Sequence, residues 1–355
     1  MKGIDFPIVK TKPPKSSREF DLTDPAERKV YFQEKVPKEI AELKDYFRDN
    51  TFVAYLLGKK MAGKGTYTKL LAEIFGSDLI KHLSVGDLVR ATDQVKDDQK
   101  AKDELFNYLE KNYRGFIPLE EAFEAFINRD TSTLLPTEFI LALVKREIEL
   151  AGRVNLFIDG FPRNMDQISY SLYFRDLINY RNDPDIFVLI DLPEAVINER
   201  IKFRRICPVC NSSRHLTLFP TSLIEYDEEN NEYFIKCDNP ECEPHRMVGK
   251  EGDDKGIEVI KDRLVMDDEL IRKAFGLHGV PKVLLRNAVP LDIVGEMVDD
   301  FEITKEYVYS GKGKDITVEQ KEWIMIDDNG IESVSLLPSA VVVEFIKQLH
   351  SILIG

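Results

Sequence analysis

Apolar positions along the chain change their period several times, and the changes predict its elements. The runs "FVAYLL" (52–57), "VNLFI" (154–158) and "IFVLI" (186–190) are short and almost continuously apolar, as strands buried on both faces must be. "WIMI" (323–326) predicts a weaker fourth strand. Between these runs the period is helical. Ile40, Leu43 and Phe47 fall on one face after Pro37, and Val342, Phe345, Ile346, Leu349, Ile352 and Leu353 form a stripe after Pro338, a residue suited to a first helical turn. Strands alternating with helices imply an α/β fold, a parallel sheet covered by helices on both faces. Residues 1–25 are polar and proline-bearing, with too little apolar content for a core of their own, so an arm that is mobile or draped over the main domain is expected. No internal repeat is visible.

Composition narrows the partners. The 355 residues suffice for one large domain with insertions or for two domains, and 43% hydrophobic with 32% charged residues is the balance of a soluble globular chain. A formal charge of −14 argues against general affinity for nucleic acid or an anionic membrane, because both need a basic face. An anionic ligand must therefore be held by a local cluster of arginines and lysines. "MKGIDFPIVK" has no apolar stretch suited to a signal peptide, and no run of about 18 apolar residues occurs, so a cytoplasmic protein is expected.

The first candidate chemistry lies in "LLGKKMAGKGTYTKLL" (56–71). An apolar run ends at Leu57, a loop spans Gly58 to Thr66, and Leu70, Leu71, Ile74 and Phe75 continue at helical spacing. Strand, glycine-bearing loop and helix are the context of a phosphate-binding loop, and Gly58, Gly63 and Lys64 have its spacing. Gly63 and Gly65 let backbone N–H groups turn inward, the helix N-terminus adds its dipole, and Lys64 supplies a charge for β- and γ-phosphates. Two features depart from the common pattern. Lys59, Lys60 and Met61 fill the first half of the loop, and Gly65 stands where Ser or Thr usually reaches Mg²⁺, with Thr66 one place later.

Three further stretches follow in order: "HLSVGDLVRA" (82–91), "FIDGFPRNMDQ" (157–167) and "INERIKFRRICPVC" (197–210). Together with the loop they resemble the adenylate kinase family of nucleoside monophosphate kinases, over roughly residues 52–90 and 134–275, with a weaker echo at 320–355. Gly-Lys-Gly-Thr at 63–66 is that family's own form of the loop. The resemblance implies a P-loop NTPase-type sheet with a helical arm for the monophosphate and a small zinc-binding lid. The corresponding division is an N-terminal extension (1–50), core with the loop (51–83), an enlarged arm (84–135), core (136–204), lid (205–252), and core (253–355) with an extra block near 276–318 that includes "VPKVLLRNAVP".

By the same resemblance Gly58, Gly63, Lys64, Gly65, Thr66, Arg200 and Arg204 bind ATP. Ser84, Val85, Arg90, Gly160, Arg163 and Gln167 hold the acceptor monophosphate, with Gln167 reading adenine. Lys64, Asp159, Arg163, Arg204 and Arg263 would be catalytic, and Asp87 and Asp159 would hold Mg²⁺ largely through water. Arg200, Arg204 and Arg205 are spaced as if on one side of a helix. Asp253 and Asp254 match paired family aspartates, but where an arginine usually precedes them the chain has Lys250, a point charge without the bidentate fork.

All four cysteines fall in "CPVC" (207–210) and "CDNPEC" (237–242), spacings that suit a tetrahedral structural zinc on Cys207, Cys210, Cys237 and Cys242. The second pair is wider than the family's, which leaves His215 or His245 as alternative ligands. A zinc ribbon on nucleic acid disagrees with the acidic "LIEYDEENNEYFIKC" between the pairs. The expected reaction is reversible, Mg²⁺-dependent phosphoryl transfer from ATP to AMP by a monomer. Val85, where adenylate kinases commonly have Thr, keeps a UMP/CMP-directed enzyme open, and the altered loop keeps open a nucleotide-binding regulatory protein without turnover.

Overall fold

A computed structural model describes residues 4–13, 18–90, 95, 98–128, 135–162, 167, 183–210, 212–249 and 253–355. Five strands form its central sheet: β1 (Val53–Gly58), β2 (Ile80–Ser84), β3 (Asn155–Asp159), β4 (Asp185–Asp191) and β9 (Lys282–Arg286), in the order β2-β3-β1-β4-β9. Every pairing is parallel. Alternation along β1 sends Ala54 and Leu56 into one apolar cluster and Val53, Tyr55 and Leu57 into another, so both faces are buried. Helices Lys64–Phe75, Pro37–Asp49 and Pro338–Leu353 cover the first face. Helices Thr137–Ala151 and Lys261–Phe275 cover the second.

The structure corrects two expectations and adds two strands that the apolar pattern does not predict. "WIMI" is not in this sheet: β13 (Ile324–Ile326) pairs antiparallel with β14 (Glu332–Val334), which also pairs with β10 (Val289–Pro290). Its apolar run misleads because only Met325 is fully buried and Trp323 partly so, while Ile324 and Ile326 are exposed. The edge strands β2 and β9 carry polar residues such as Lys81 and Arg286 and so do not read as continuous apolar runs, and β9 lies inside the block at 276–318. Finally, Arg204 and Arg205 do not continue the helix Glu194–Lys202, but open the strand β5 (Arg204–Ile206).

The N-terminal segment lies over the core. Val9, Phe20 and Leu22 join the first cluster, and the Thr11 and Lys12 N–H groups donate to Met297 O. An additional helix, Pro25–Lys35, starts at the Asp24 cap; it buries only the neighbours Tyr31 and Phe32, so its sequence shows no stripe. Glu302, fully buried, ties these parts together. It accepts hydrogen bonds from Thr11 Oγ1 (2.5 Å), Tyr31 OH (2.5 Å) and the Asp299 N–H (2.7 Å), and Lys35 Nζ lies 3.4 Å away. A buried carboxylate with one cation and three donors is stable only while all remain.

The helices Gln99–Asn112 and Leu119–Asn128 build a third cluster with Thr137–Ala151, through Leu105, Leu109, Phe126 and Phe139. The segment around the cysteines consists of two small antiparallel pairs, β5 with β6 (Ser213–His215) and β7 (Ile224–Asp227) with β8 (Glu232–Ile235). A hairpin of β11 (Lys305–Ser310) and β12 (Thr317–Glu322) reaches across to it. The Tyr307 N–H donates to Thr217 O (2.7 Å), Tyr233 OH to Gly311 O (2.8 Å) and Tyr309 OH to Leu216 O. Among the described residues no helix is long and apolar enough to cross a membrane.

Neutralising the buried hub should loosen the N-terminal segment. Glu302→Gln is expected to lower the unfolding free energy by about 3 kcal/mol, read as the shift of the urea midpoint.

Candidate active site

The loop 58–63 runs from the end of β1 to the first turn of Lys64–Phe75, and its shape follows from close approach. A Cβ on Gly58 would come within 3.1 Å of Ile190 Cβ and 3.2 Å of Ile190 O on β4. Gly63 caps the helix with φ 92°, and a Cβ there would meet the Tyr67 ring at 2.9 Å. Between them Lys59 and Met61 each have a defined place. Lys59 is 1% exposed and turns away from the loop, with Nζ 3.2 Å from Asp268, 3.4 Å from Glu194 and 3.8 Å from Asp328. Burial alone would pull its pKa down, but the three carboxylates reverse this and leave it above the ordinary lysine value. Met61 adopts the left-handed region (φ 69°), rare for a side-chain-bearing residue, and its carbonyl accepts from Arg200 Nη1 at 2.9 Å.

Lys64 opens the helix that follows the loop. Its Nζ donates to Gly58 O (2.7 Å) and Lys59 O (3.2 Å) and lies 3.8 Å from Asp159 Oδ1. A cavity of about 380 Å³ opens beside it, lined by Met61, Gly63, Lys64, Gly65, Thr66, Asp87 and Asp159, with Lys69 and His82. Strand register explains why the acids arrive there: Asp159 ends β3 opposite Leu56 of β1 and Ser84 of β2. Ser84 Oγ accepts the Asp87 N–H at 3.2 Å, which sets the start of the helix Val85–Arg90. A second, smaller cavity of about 40 Å³ joins Gly58, Lys64, Asp159 and Gly160 to Arg263 and Asp267. Burial pushes the Asp267 carboxyl up, against the pull of Arg263 and Lys64.

The remaining expected residues are placed as follows. Gly160 has φ 84° and precedes a cis Phe161–Pro162 bond. Val85 is buried, and buried Gln167 donates from Nε2 to Thr137 Oγ1 at 3.1 Å. Arg204 does not face the cavity freely: it forks onto Asp253 (2.6 and 2.9 Å) and touches Met61 Sδ. Arg200 is drawn below its ordinary pKa by burial. Arg163, Lys250 and the side chains of Arg90 and Asp254 lie outside the described residues. Lys59, Asp267 and His82 were not expected at the site; their only signal was a polar residue within or beside an apolar pattern.

The four cysteine sulfurs lie within 4.8 Å of one another, with Cys207–Cys242 at 3.8 Å and Cys210–Cys237 at 3.5 Å. A tetrahedron of Zn–S bonds of about 2.3 Å has sulfurs about 3.8 Å apart, so the group fits a zinc ion. Neither alternative ligand joins it. His215 is buried, accepts the Leu218 N–H on Nδ1 (2.9 Å) and pairs through Nε2 with Glu199 O (2.9 Å); burial lowers its pKa to about 4. His245 contributes its carbonyl to the Cys237 N–H, which orients that cysteine.

A parallel sheet, a glycine-shaped loop at a helix N-terminus and a lysine facing a carboxylate-lined cavity define a P-loop phosphotransferase. Comparison with known proteins narrows the class. The chain is 33% identical over 189 residues to an adenylate kinase of Clostridium botulinum (strain Loch Maree / Type A3), covering 53% of this chain and 75% of the relative. It is 35% identical over 171 residues to that of Thermotoga petrophila, covering 47% and 66%. For the adenylate kinase of Ruminiclostridium cellulolyticum the identity is 30% over 169 residues, with the same coverage. No protein-family model matches. The chain belongs to the adenylate kinase family.

Removing the ammonium beneath the loop strands carboxylates around it. Lys59→Met is expected to cost about 3 kcal/mol in a urea melt; the half-exposed Glu194 contributes little to this because solvent screens it.

Proposed function

We propose that the chain transfers the γ-phosphoryl group of ATP reversibly to AMP, giving two molecules of ADP. The observation that carries this reading is Lys64, held by two loop carbonyls and facing Asp159 at the mouth of the phosphate cavity. In the forward direction a phosphate oxygen of AMP bonds to the γ-phosphorus while the bond from that phosphorus to the β-bridging oxygen breaks. The chain needs no nucleophile or base of its own for this step; it must align the reactants and neutralise charge. Lys64, the loop N–H groups and Thr66 hold the donor phosphates, with Arg200 and Arg204 on the donor side. Arg204 reaches them by exchanging Asp253 for phosphate. Arg90, Arg163, Ser84 and Gly160 hold the acceptor, and Arg263, across the smaller cavity, neutralises the group in flight.

Asp87 and Asp159 line the cavity beside Lys64 and would hold Mg²⁺ through water; when bound, the ion neutralises the donor's phosphates. Gln167, fixed by Thr137, reads adenine. A pyrimidine acceptor is the second reading, favoured by one observation: buried Val85 brings no hydroxyl to the base.

Diphosphate formation from Mg-ATP with AMP, CMP, UMP and GMP in parallel tests this reading. AMP is expected to turn over best, and Lys64→Ala to lose about a hundredfold or more in rate. ATP binding without turnover of any acceptor would instead mark a regulatory protein.

We also assign Zn²⁺ to Cys207, Cys210, Cys237 and Cys242, as a structural ion clamping a lid with little core. Elemental analysis should find one zinc per chain. Removing it with a chelator should lower the thermal midpoint by several degrees, because metal binding is coupled to folding.

A further inference from the structure

Gly63 has the phosphate cavity on one side and the Tyr67 ring on the other. The Tyr67 N–H donates to Gly63 O, one helical turn back, at 2.9 Å. The ring turns under the loop so closely that a Cβ on Gly63 would lie 2.9 Å from Cζ and 3.2 Å from Cε1. Tyr67 is 1% exposed and belongs to the first apolar cluster, so its ring cannot give way without disturbing that core.

A tyrosine in an apolar core needs a partner for its hydroxyl. That partner is Asn287, fully buried just past β9, whose Nδ2 donates to Tyr67 OH at 3.3 Å. The rest of the amide is committed as well. Nδ2 also donates to Leu336 O (3.1 Å), and Oδ1 accepts from Ser335 Oγ (3.0 Å) and the Leu336 N–H (2.6 Å). With its donors and acceptor sites all used, the amide has a single orientation. The Asn287 backbone N–H donates to Asp191 O at the end of β4 (3.1 Å). A rigid connection thus runs from the sheet and the 335–336 segment through Asn287 and Tyr67 to Gly63.

We infer that Tyr67 is a positioning residue for the donor phosphates: backed by Asn287, its ring fixes Gly63 and the N–H groups at the start of the following helix in the direction a phosphate needs. The inference rests on the proposed donor site at the Lys64 loop. Phosphate binding by backbone N–H groups depends on their direction, and a loop already fixed in its binding form loses less freedom when the ligand arrives.

The test titrates the full, zinc-loaded chain with Mg-ATP and, separately, with AMP by calorimetry. Tyr67→Phe keeps the ring and removes its tie to Asn287, which retains Leu336 O; Tyr67→Leu removes the wall itself. ATP affinity is expected to fall about threefold in Tyr67→Phe and about tenfold in Tyr67→Leu, with AMP affinity unchanged. A residue that only packs the core would lower the thermal midpoint and leave ATP affinity alone, or weaken both ligands together. Either pattern overturns the inference, as does a wild type that binds no ATP. If Tyr67→Leu does not fold, Tyr67→Phe decides alone by the same comparison. Affinity is read without turnover, so a chain that binds ATP with this dependence on Tyr67 but forms no diphosphate sinks the transfer reading and not this one.

Discussion

A lysine ammonium buried beneath a phosphate-binding loop is the constraint around which this structure is organised. Lys59 Nζ draws carboxylates from the helix Glu194–Lys202, the helix Lys261–Phe275 and the turn between β13 and β14 to one point. The buried ammonium would not tolerate its position without these carboxylates, and together they hold the first half of the loop from below. Lys64, at the start of the following helix, lines the cavity. The same turn carries Asp327, which accepts from Arg286 Nη2 at 2.5 Å, while Arg286 Nη1 donates to Asp191 at the end of β4. The loop, two strands of the central sheet and the C-terminal hairpin are thus parts of one ionic framework.

That framework explains how additions to the family core bear on the site. The β11–β12 hairpin is hydrogen-bonded to the cysteine-bearing segment at Leu216, Thr217 and Tyr233, so that segment is held from outside as well as by its own thiols. The N-terminal segment is fixed by buried Glu302, next to the start of the same hairpin. Arg204, paired with Asp253 and resting on Met61, connects β5 to the loop.

How much of this was legible depended on how far each feature reaches along the chain. The central strands β1, β3 and β4 were plain because burial on both faces leaves an unbroken apolar run. The edge strands β2 and β9 were not, since an edge tolerates Lys81, His82 and Arg286. Pro25–Lys35 was hidden because only Tyr31 and Phe32 are buried. Arg204 and Arg205 were placed on a helix because no glycine or proline marks its end at Lys202. At the site, Lys64 and the cysteine quartet could be read from local spacing, and Asp159 from the resemblance. The role of Lys59 could not, because its partners lie at 194, 268 and 328, and nothing local distinguishes a lysine that binds phosphate from one that anchors the loop.

The proposed transfer requires the Lys64 loop and the arginines assigned to the phosphates to hold two nucleotides at once. It is tested most directly by calorimetric titration with a bisubstrate ligand, two adenosines joined through five phosphates. The account predicts one ligand per chain and a loss of affinity of about a hundredfold or more in Lys64→Ala. Failure to bind, or binding that Lys64→Ala leaves unchanged, would contradict it.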